Sequence, residues 1–450
     1  MKRKLEIRRF YYFEFFLSLS RGLINPFIPV FALLLGASNF ILGVLSSLTT
    51  LVSLLSQLFF IIVIIKGERK EQTLIFATLF WSLMWLLIGN SKSPYELIAF
   101  LSLQSLFSAL LTLSWTELFV SSVPNYLRGR ITGKKNWFSG VASIIATLVS
   151  GYLLQKFGFT SIVFILSTLF GIMACATLSS LHSLVRFPKF RIKLRKSFDI
   201  RTIKKSKKFI KFVRAMIIIS FATGIASAFF TVQLVKKFNA SFLDIAILTI
   251  ISSLTRLLIL KPWGFLVDFI GRRSVMLATL TFISLYPLVY AFSPSLIFVY
   301  LFTVVGSSAW AGFEIASFTY FSESLERRKI VEFTATYNFL TQMTQVIAKF
   351  LGGVLAEFYG ITLVFIISFL LRILSFFFFS RVEERIGPIE MPIEVEVGET
   401  KFLALGHTIA IYAKLFSILK KDFKRSRKTM IKKIRKFLFS LKRIFERKTT

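Results

Sequence analysis

The sequence predicts an all-α integral membrane protein: about twelve transmembrane helices arranged as two six-helix bundles related by pseudo-symmetry. Three observations carry that prediction. The apolar residues run in blocks of twenty or so, long enough for a helix to cross a hydrocarbon core of about 30 Å. Lys and Arg collect in every second connection between those blocks. Particular Gly, Ala and Ser positions of the first half recur in the second at a nearly constant distance along the chain.

The composition already excludes an ordinary soluble enzyme. The 450 residues are 55% hydrophobic and 18% charged, with mean hydropathy +0.71. A single cysteine, Cys175, excludes an internal disulfide framework and any multi-cysteine metal or iron–sulfur site. The two histidines, His182 and His407, lie too far apart to suggest a zinc site. No metal or cofactor is expected.

In order, the predicted spans of the first half are Phe10–Leu35, Ile41–Ile65, Thr73–Gly89, Glu96–Val120, Trp137–Phe157 and Thr160–Leu184. The second half gives Phe212–Val235, Phe242–Leu266, Ser274–Phe292, Ser295–Phe321, Phe333–Glu357 and Ile361–Phe379. Each is bounded by charges, Gly or Pro. The third span is short and the fifth is polar. The domain plan is an N-terminal bundle over residues 1–185, a basic central loop over 186–211, a C-terminal bundle over 212–380 and a tail over 381–450.

Orientation follows from the cations. Met1–Arg9, Lys66–Lys70, Arg128–Lys135, Arg186–Lys211, Arg272–Arg273, Arg327–Lys329 and the tail are basic, and the intervening loops carry mainly Lys92, Lys236 and Lys237. The positive-inside rule makes both termini and the central loop cytoplasmic, with the cell membrane as location. An even number of spans requires termini on one side. The N-terminal stretch is not a signal peptide, since it contains Glu14 and Arg21 and lacks a small-residue cleavage site.

The repeat is specific. Ala37–Ser38 recurs as Ala240–Ser241, Gly67 as Gly271, and Gly151-x-Leu153-x-x-x-x-Gly158 as Gly353-x-Leu355-x-x-x-x-Gly360. The separations all fall at about 203 residues, as duplication of a six-helix unit with both copies facing the same way would give. Such pseudo-symmetry places a cavity between the halves, opened alternately to each side.

Between spans eight and nine stands Gly264-Phe-Leu-Val-Asp268-Phe-Ile-Gly271-Arg272-Arg273, and after span four Pro124-Asn-Tyr-Leu-Arg128-Gly129-Arg130. With twelve spans, a long basic central loop and cytoplasmic termini, these segments resemble the major facilitator superfamily over about Phe10 to Ser380. The first segment is similar to that family's Gly-x-Leu-x-Asp-x-x-Gly-Arg-Lys/Arg loop. The resemblance implies the family's fold and a secondary transporter. In the loop, Gly264 is expected to let a neighbouring helix approach closely. Asp268 is expected to pair with cations or a helix N-terminus, and Arg272 and Arg273 to anchor at an anionic leaflet. A latch there would favour the outward-open state. The first-half copy, Ile64-Ile-Lys-Gly67-Glu68-Arg69-Lys70, lacks the Asp. Span five lacks the family's Gly-Pro pair and span four its intramembrane Arg, which weakens a drug-efflux reading.

Charges within the spans are the candidate site, because each costs at least about 2.5 kcal/mol unless it finds a partner or a wet cavity. The resemblance places spans one, four, seven and ten at the cavity. It thereby nominates Glu14, Arg21, Gln104, Glu117, Gln233 and Glu314; Arg256 lies on span eight, Gln345 and Lys349 on span eleven. Arg21 could bind an anionic substrate group bidentately, or pair structurally with Glu14 or Glu117. Glu314 could take up and release a proton, or serve as permanent partner of Arg256 or Lys349. Glu117, near a helix end, reads as structural, and Arg372 as a snorkelling residue of a peripheral helix.

The 54 Phe are ordinary lipid-facing residues rather than a cofactor cage. In the tail, an acidic linker to Glu399 precedes a basic amphipathic helix over Met430–Phe445, suited to anionic lipid headgroups. No nucleic-acid module is present. Gly129-Arg-Ile-Thr-Gly133-Lys134-Lys135 is not a phosphate loop: the spacing is wrong and no Ser or Thr follows the Lys. The expectation is a monomeric secondary transporter of a small solute, coupled to protons. The alternatives are an organic-anion or phosphate-ester exchanger built on Arg21 and, more remotely, a membrane enzyme or structural subunit.

Overall fold

A computed structural model describes residues 2–62, 70–123, 125–159, 161–178, 206–325 and 330–383. Twelve of the helical segments are long and apolar enough to cross a membrane. The first span is made by α1 (Lys2–Ile24), a 3-10 turn (Asn25–Phe27) and α2 (Ile28–Leu34). It breaks at Pro26 and Pro29, which cannot donate to the helical ladder. Then follow α3 (Asn39–Ile62), α4 (Lys70–Gly89), α5 (Pro94–Ser122), α6 (Asn125–Phe157) and α7 (Ser161–Leu178). The second half begins with α8 (Lys207–Ser227) and α9 (Phe229–Phe238), which form one span bent at Ala228. It continues with α10 (Phe242–Ile270), α11 (Arg272–Phe292), α12 (Leu296–Ser324), α13 (Ile330–Tyr359) and α14 (Ile361–Phe379).

Several predicted boundaries shift; α1, for one, starts at Lys2, eight residues before the expected Phe10. Arg128–Lys135, expected as a loop, is helical, because α6 starts at Asn125. Span seven likewise begins at Lys207, five residues before the apolar run. Lys and Arg are good helix formers, so hydropathy marks the end of the hydrocarbon and not the end of the helix. Gly67 with its loop, the central stretch up to residue 205 and the basic tail helix lie outside the described residues.

The repeated residues have local causes. Ser38 accepts from the Ile41 amide, and Ser241 from the Asp244 amide in a full capping box, so the recurring Ala–Ser pair is a pair of helix N-caps. Gly158 and Gly360 end their helices at φ +69° and +84°, a left-handed turn that a side chain would strain. Gly151 and Gly353 do a different job. A Cβ on Gly151 would lie 2.6 Å from the Ala246 Cβ, and one on Gly353 2.7 Å from the Gly43 Cα.

Helix pairing repeats in the same way. Spans one and five, one and six, two and four, three and four, and three and six pack together; each pair has its counterpart six spans later. The halves meet along two seams, α3 against α13 and α6 against α10, which exchange under the same operation. Within each half the fit is made by small residues and hydroxyls, since lipid supplies no hydrophobic drive between helices. On spans one and five, Glu14 faces Lys135, Ser18 faces Ser139 at 2.5 Å, and Gly22 fits against Ser143. These partners advance one turn at a time. In the second half Gly224 fits against Gln345 and Ala348 at the corresponding place.

The seams are closed on one face. The side where α1 begins and α14 ends is here called the terminal face. On the opposite face, the Phe40 amide donates to Glu357 Oε2 at 2.9 Å and, at the related helix start, the Phe242 amide donates to Gln155 Oε1 at 3.2 Å. Asn39 Nδ2 donates to Ala356 O at 3.1 Å and Lys236 Nζ to Asn39 Oδ1 at 3.0 Å. Deeper in, Ser47 donates to Val346 O at 2.8 Å. Toward the terminal face the two halves part. One buried core runs through the first half and across to the opposite-face part of the second, whereas Phe209, Phe212, Trp263, Phe313 and Phe333 belong to a separate core of the second half alone. The molecule is open on the terminal face.

Candidate transport site

A cavity of about 730 Å³ lies on the second half's side of that opening, between α8, α12 and α13. Trp310, Phe313, Phe321 and Tyr337 form its aromatic walls, and Glu314, Asn338 and Gln345 its polar points. Next to it, sharing Thr223 and Trp310, is a pocket of about 300 Å³ that reaches Arg256 and Arg372. Helical phase explains the placement: Trp310, Glu314 and Ser317 fall on one stripe of α12 at spacings of three and four.

Glu314 and Arg256 join at the boundary of the two spaces. Arg256 Nη1 donates to Oε1 at 3.0 Å and Nη2 to Oε2 at 2.6 Å, a bidentate pair across α10 and α12. The two side chains are 42% and 48% exposed, so the cavity and not the packed core surrounds the pair.

The other candidates are dispersed. Glu14 is buried and pairs with Lys135 Nζ at 3.0 Å, which also sits over the Trp115 ring. Arg21 therefore does not share Glu14 in a salt bridge. Its guanidinium lies 5.3 Å from the Trp81 ring centroid, and among the described residues no carboxylate is within salt-bridge distance of it. Gln104 and Gln233 are buried and donate to backbone carbonyls, of Trp81 at 3.2 Å and Tyr290 at 3.4 Å. Lys349 Nζ donates to Thr50 Oγ1 at 2.8 Å, across the α3–α13 seam. Gln345 lines the large cavity. No group of three or more potential metal ligands occurs among the described residues.

The sequence matches the Major Facilitator Superfamily twice, over residues 12–232 and 212–427. The chain belongs to the Major Facilitator Superfamily. It is a secondary transporter, not an enzyme. Among solved structures it is similar to the nucleoside transporter NupG, at 14% identity and TM-score 0.65, covering 85% of this chain and 99% of that one. It is also similar to a bacterial homologue of the human lysosomal transporter Spinster, inward-facing and occupied, at 14% identity and TM-score 0.62, covering 84% and 96%. A third is the human organic anion transporter MFSD10 (TETRAN), at 12% identity and TM-score 0.57, covering 84% and 100%. No curated protein matches by sequence.

The superfamily loop can now be placed. Arg272, only 8% exposed, donates to Glu323 at 2.7 Å, and its Nη2 is 3.7 Å from Asp268. Asp268 itself is 59% exposed. Arg273 donates to the Ser380 carbonyl at the end of α14, and Gly271 turns the chain at φ +103°. Both arginines thus hold protein groups, where headgroup anchoring was expected. Gly264 is a correction: among the described residues a Cβ there would meet nothing within 4 Å, so no described helix approaches it in this state.

Arg372 is the second correction. It does not snorkel. The side chain is 2% exposed and turned inward, its Nη1 donating to Ile283 O at 2.7 Å and its Nε buried without a partner among the described residues. The signal lay in the sequence: Ser368, Arg372 and Ser375 fall on one stripe of α14, and that stripe is the buried one.

Proposed function

We propose that this transporter moves a small organic solute across the cell membrane by alternating access, with the terminal face cytoplasmic, and that Glu314 couples the movement to protons. The observation that carries the reading is the Arg256–Glu314 pair. A half-exposed carboxylate bound bidentately at the cavity wall can accept a proton from the open side. Protonation removes the charge that holds Arg256 and so couples proton occupancy to the shape and charge of the site. The open terminal face and closed opposite face support an inward-open state within an alternating cycle. Basic segments on the terminal side support the orientation.

The test is transport in proteoliposomes with a ligand found by thermal shift, nucleosides and organic anions included because structural neighbours carry those names. Wild type should accumulate the ligand when a pH gradient is imposed. Glu314→Gln should lose that accumulation while retaining exchange of ligand for ligand at equal pH. Gradient-driven accumulation by Glu314→Gln would overturn the coupling. A second reading, anion exchange at Arg21, is favoured by the absence of a carboxylate partner among the described residues; Arg21→Gln would then abolish exchange as well.

A further inference from the structure

We propose that the pocket between Arg256 and Arg372 receives the anionic head of an amphipathic organic anion, whose apolar body lies in the aromatic cavity beside it. The pocket's lining holds two guanidinium groups and no carboxylate among the described residues, with Thr223, Ser227, Ser252 and Ser307 supplying hydroxyls. That is a donor set for a carboxylate, sulfonate or phosphate. Its volume of about 300 Å³ suits a head group, while the adjoining 730 Å³ bounded by Trp310, Phe313 and Tyr337 suits a ring system or chain. The shared residues Thr223 and Trp310 join the two spaces into one site.

Arg372 is the decisive group. Of its five N–H donors, one finds a partner among the described residues, through Ile283 O, and Nε is buried with none. A guanidinium held this deep is costly unless an anion completes it. The scaffold does not require it. Ser167 on α7 bonds to Ser20 O, and its counterpart Ser368 on α14 bonds to Ala222 O. One turn beyond each serine stand Gly171 in the first half and Arg372 in the second. Gly171 packs flat against Ser82, so the same helix crossing is made without a charge.

The charges also specify the order of events. With Glu314 ionised, Arg256 is engaged by it and Arg372 alone is left to hold the anion. A proton taken up by Glu314 releases Arg256, and both arginines then hold the anion. Proton and anion therefore enter together. Only this pH dependence rests on the coupling read above; anion binding itself does not.

The test uses the purified full-length protein and 2-naphthalenesulfonate, which stays anionic at every working pH, followed by thermal shift and calorimetry. Its neutral sulfonamide and a naphthylmethylammonium salt are the controls. The sulfonate should stabilise the protein, more at mildly acidic than at neutral pH, and the controls should not. Arg372→Gln should weaken sulfonate binding by about tenfold or more, with Arg372→Lys intermediate. Ser252→Asp, which puts a fixed carboxylate in the pocket and leaves Arg372 in place, should abolish it. Glu314→Gln should tighten it by about tenfold at neutral pH, a gain that misfolding cannot imitate.

No stabilisation by the sulfonate, equal stabilisation by the sulfonamide, or wild-type affinity in both Arg372→Gln and Ser252→Asp would each overturn the site. So would loss of binding in Arg21→Gln with retention in Arg372→Gln. If the sulfonate binds through Arg372 while Glu314→Gln still accumulates solute under a pH gradient, the anion site stands and the coupling falls.

Discussion

Gly43 and Gly353 meet backbone to backbone across the seam between the halves: a Cβ on Gly353 would lie 2.7 Å from the Gly43 Cα, and a Cβ on Gly43 would press harder still on Gly353. That distance is well inside van der Waals contact, and the neighbour is main chain that cannot rotate away. Opening the opposite face by parting this seam would break the contact. Gly43→Ala should therefore cost the closed form about 1–3 kcal/mol and leave the form open on that face nearly untouched. Accessibility of a cysteine at Ser47, buried beside this contact, reports the shift. In a Cys175→Ser background, a membrane-impermeant thiol reagent should label Ser47→Cys several-fold faster once Gly43→Ala is added. Equal labelling would mean the seam does not set the equilibrium.

The Glu14–Lys135 pair predicts a different outcome, because it lies inside one half. Their side chains are 9% and 19% exposed, so removing one partner leaves a largely buried charge. Glu14→Gln or Lys135→Gln alone should each destabilise by about 3 kcal/mol, and the double variant by less than their sum. Melting of the four proteins in detergent completes the cycle. Additive losses would show that the two side chains do not depend on one another.

Asp268 and Arg272 separate function from stability. Asp268 is exposed and holds Arg272 only at 3.7 Å, whereas Arg272 is buried against Glu323. Asp268→Asn should leave the melting temperature within about a degree of wild type and cut transport at equal expression. Arg272→Gln should lower the melting temperature, since it removes the buried guanidinium's bond to Glu323. Undiminished transport by Asp268→Asn would remove the latch from the cycle.

Arg256 and Glu314 should matter little to the fold despite their short bonds. Both face the cavity, so solvent screens them and a double-mutant cycle in melting should give a coupling of about 0.5–1 kcal/mol. A coupling of several kcal/mol would make the pair a structural brace and take Glu314 out of the proposed coupling.

The architecture was legible because lipid imposes long apolar runs and because a duplicated chain repeats its constraints. Ser38 and Ser241, Gly158 and Gly360, and Gly151 and Gly353 stood out by spacing alone. Their reasons, caps, left-handed turns and seam contacts, needed coordinates. Arg256 with Glu314 was among the pairings the sequence allowed. Glu14 with Lys135 was not, since Lys135 was counted with a loop that proved helical. Arg372 and Gly264 failed for different reasons. The stripe Ser368, Arg372 and Ser375 marks the face of α14 that meets protein and was overlooked, whereas a glycine does not tell whether anything lies near it.

The stepped pairing of spans one and five has a mechanical meaning. Glu14, Ser18 and Gly22 engage Lys135, Ser139 and Ser143 like teeth of a rack, so sliding one helix along the other must jump a whole turn of about 5.4 Å to find new partners. No small displacement satisfies both the charges and the hydroxyls. Spans one and five of the first bundle are thereby geared to move together, and the freedom to rock is left to the two lines where the halves touch.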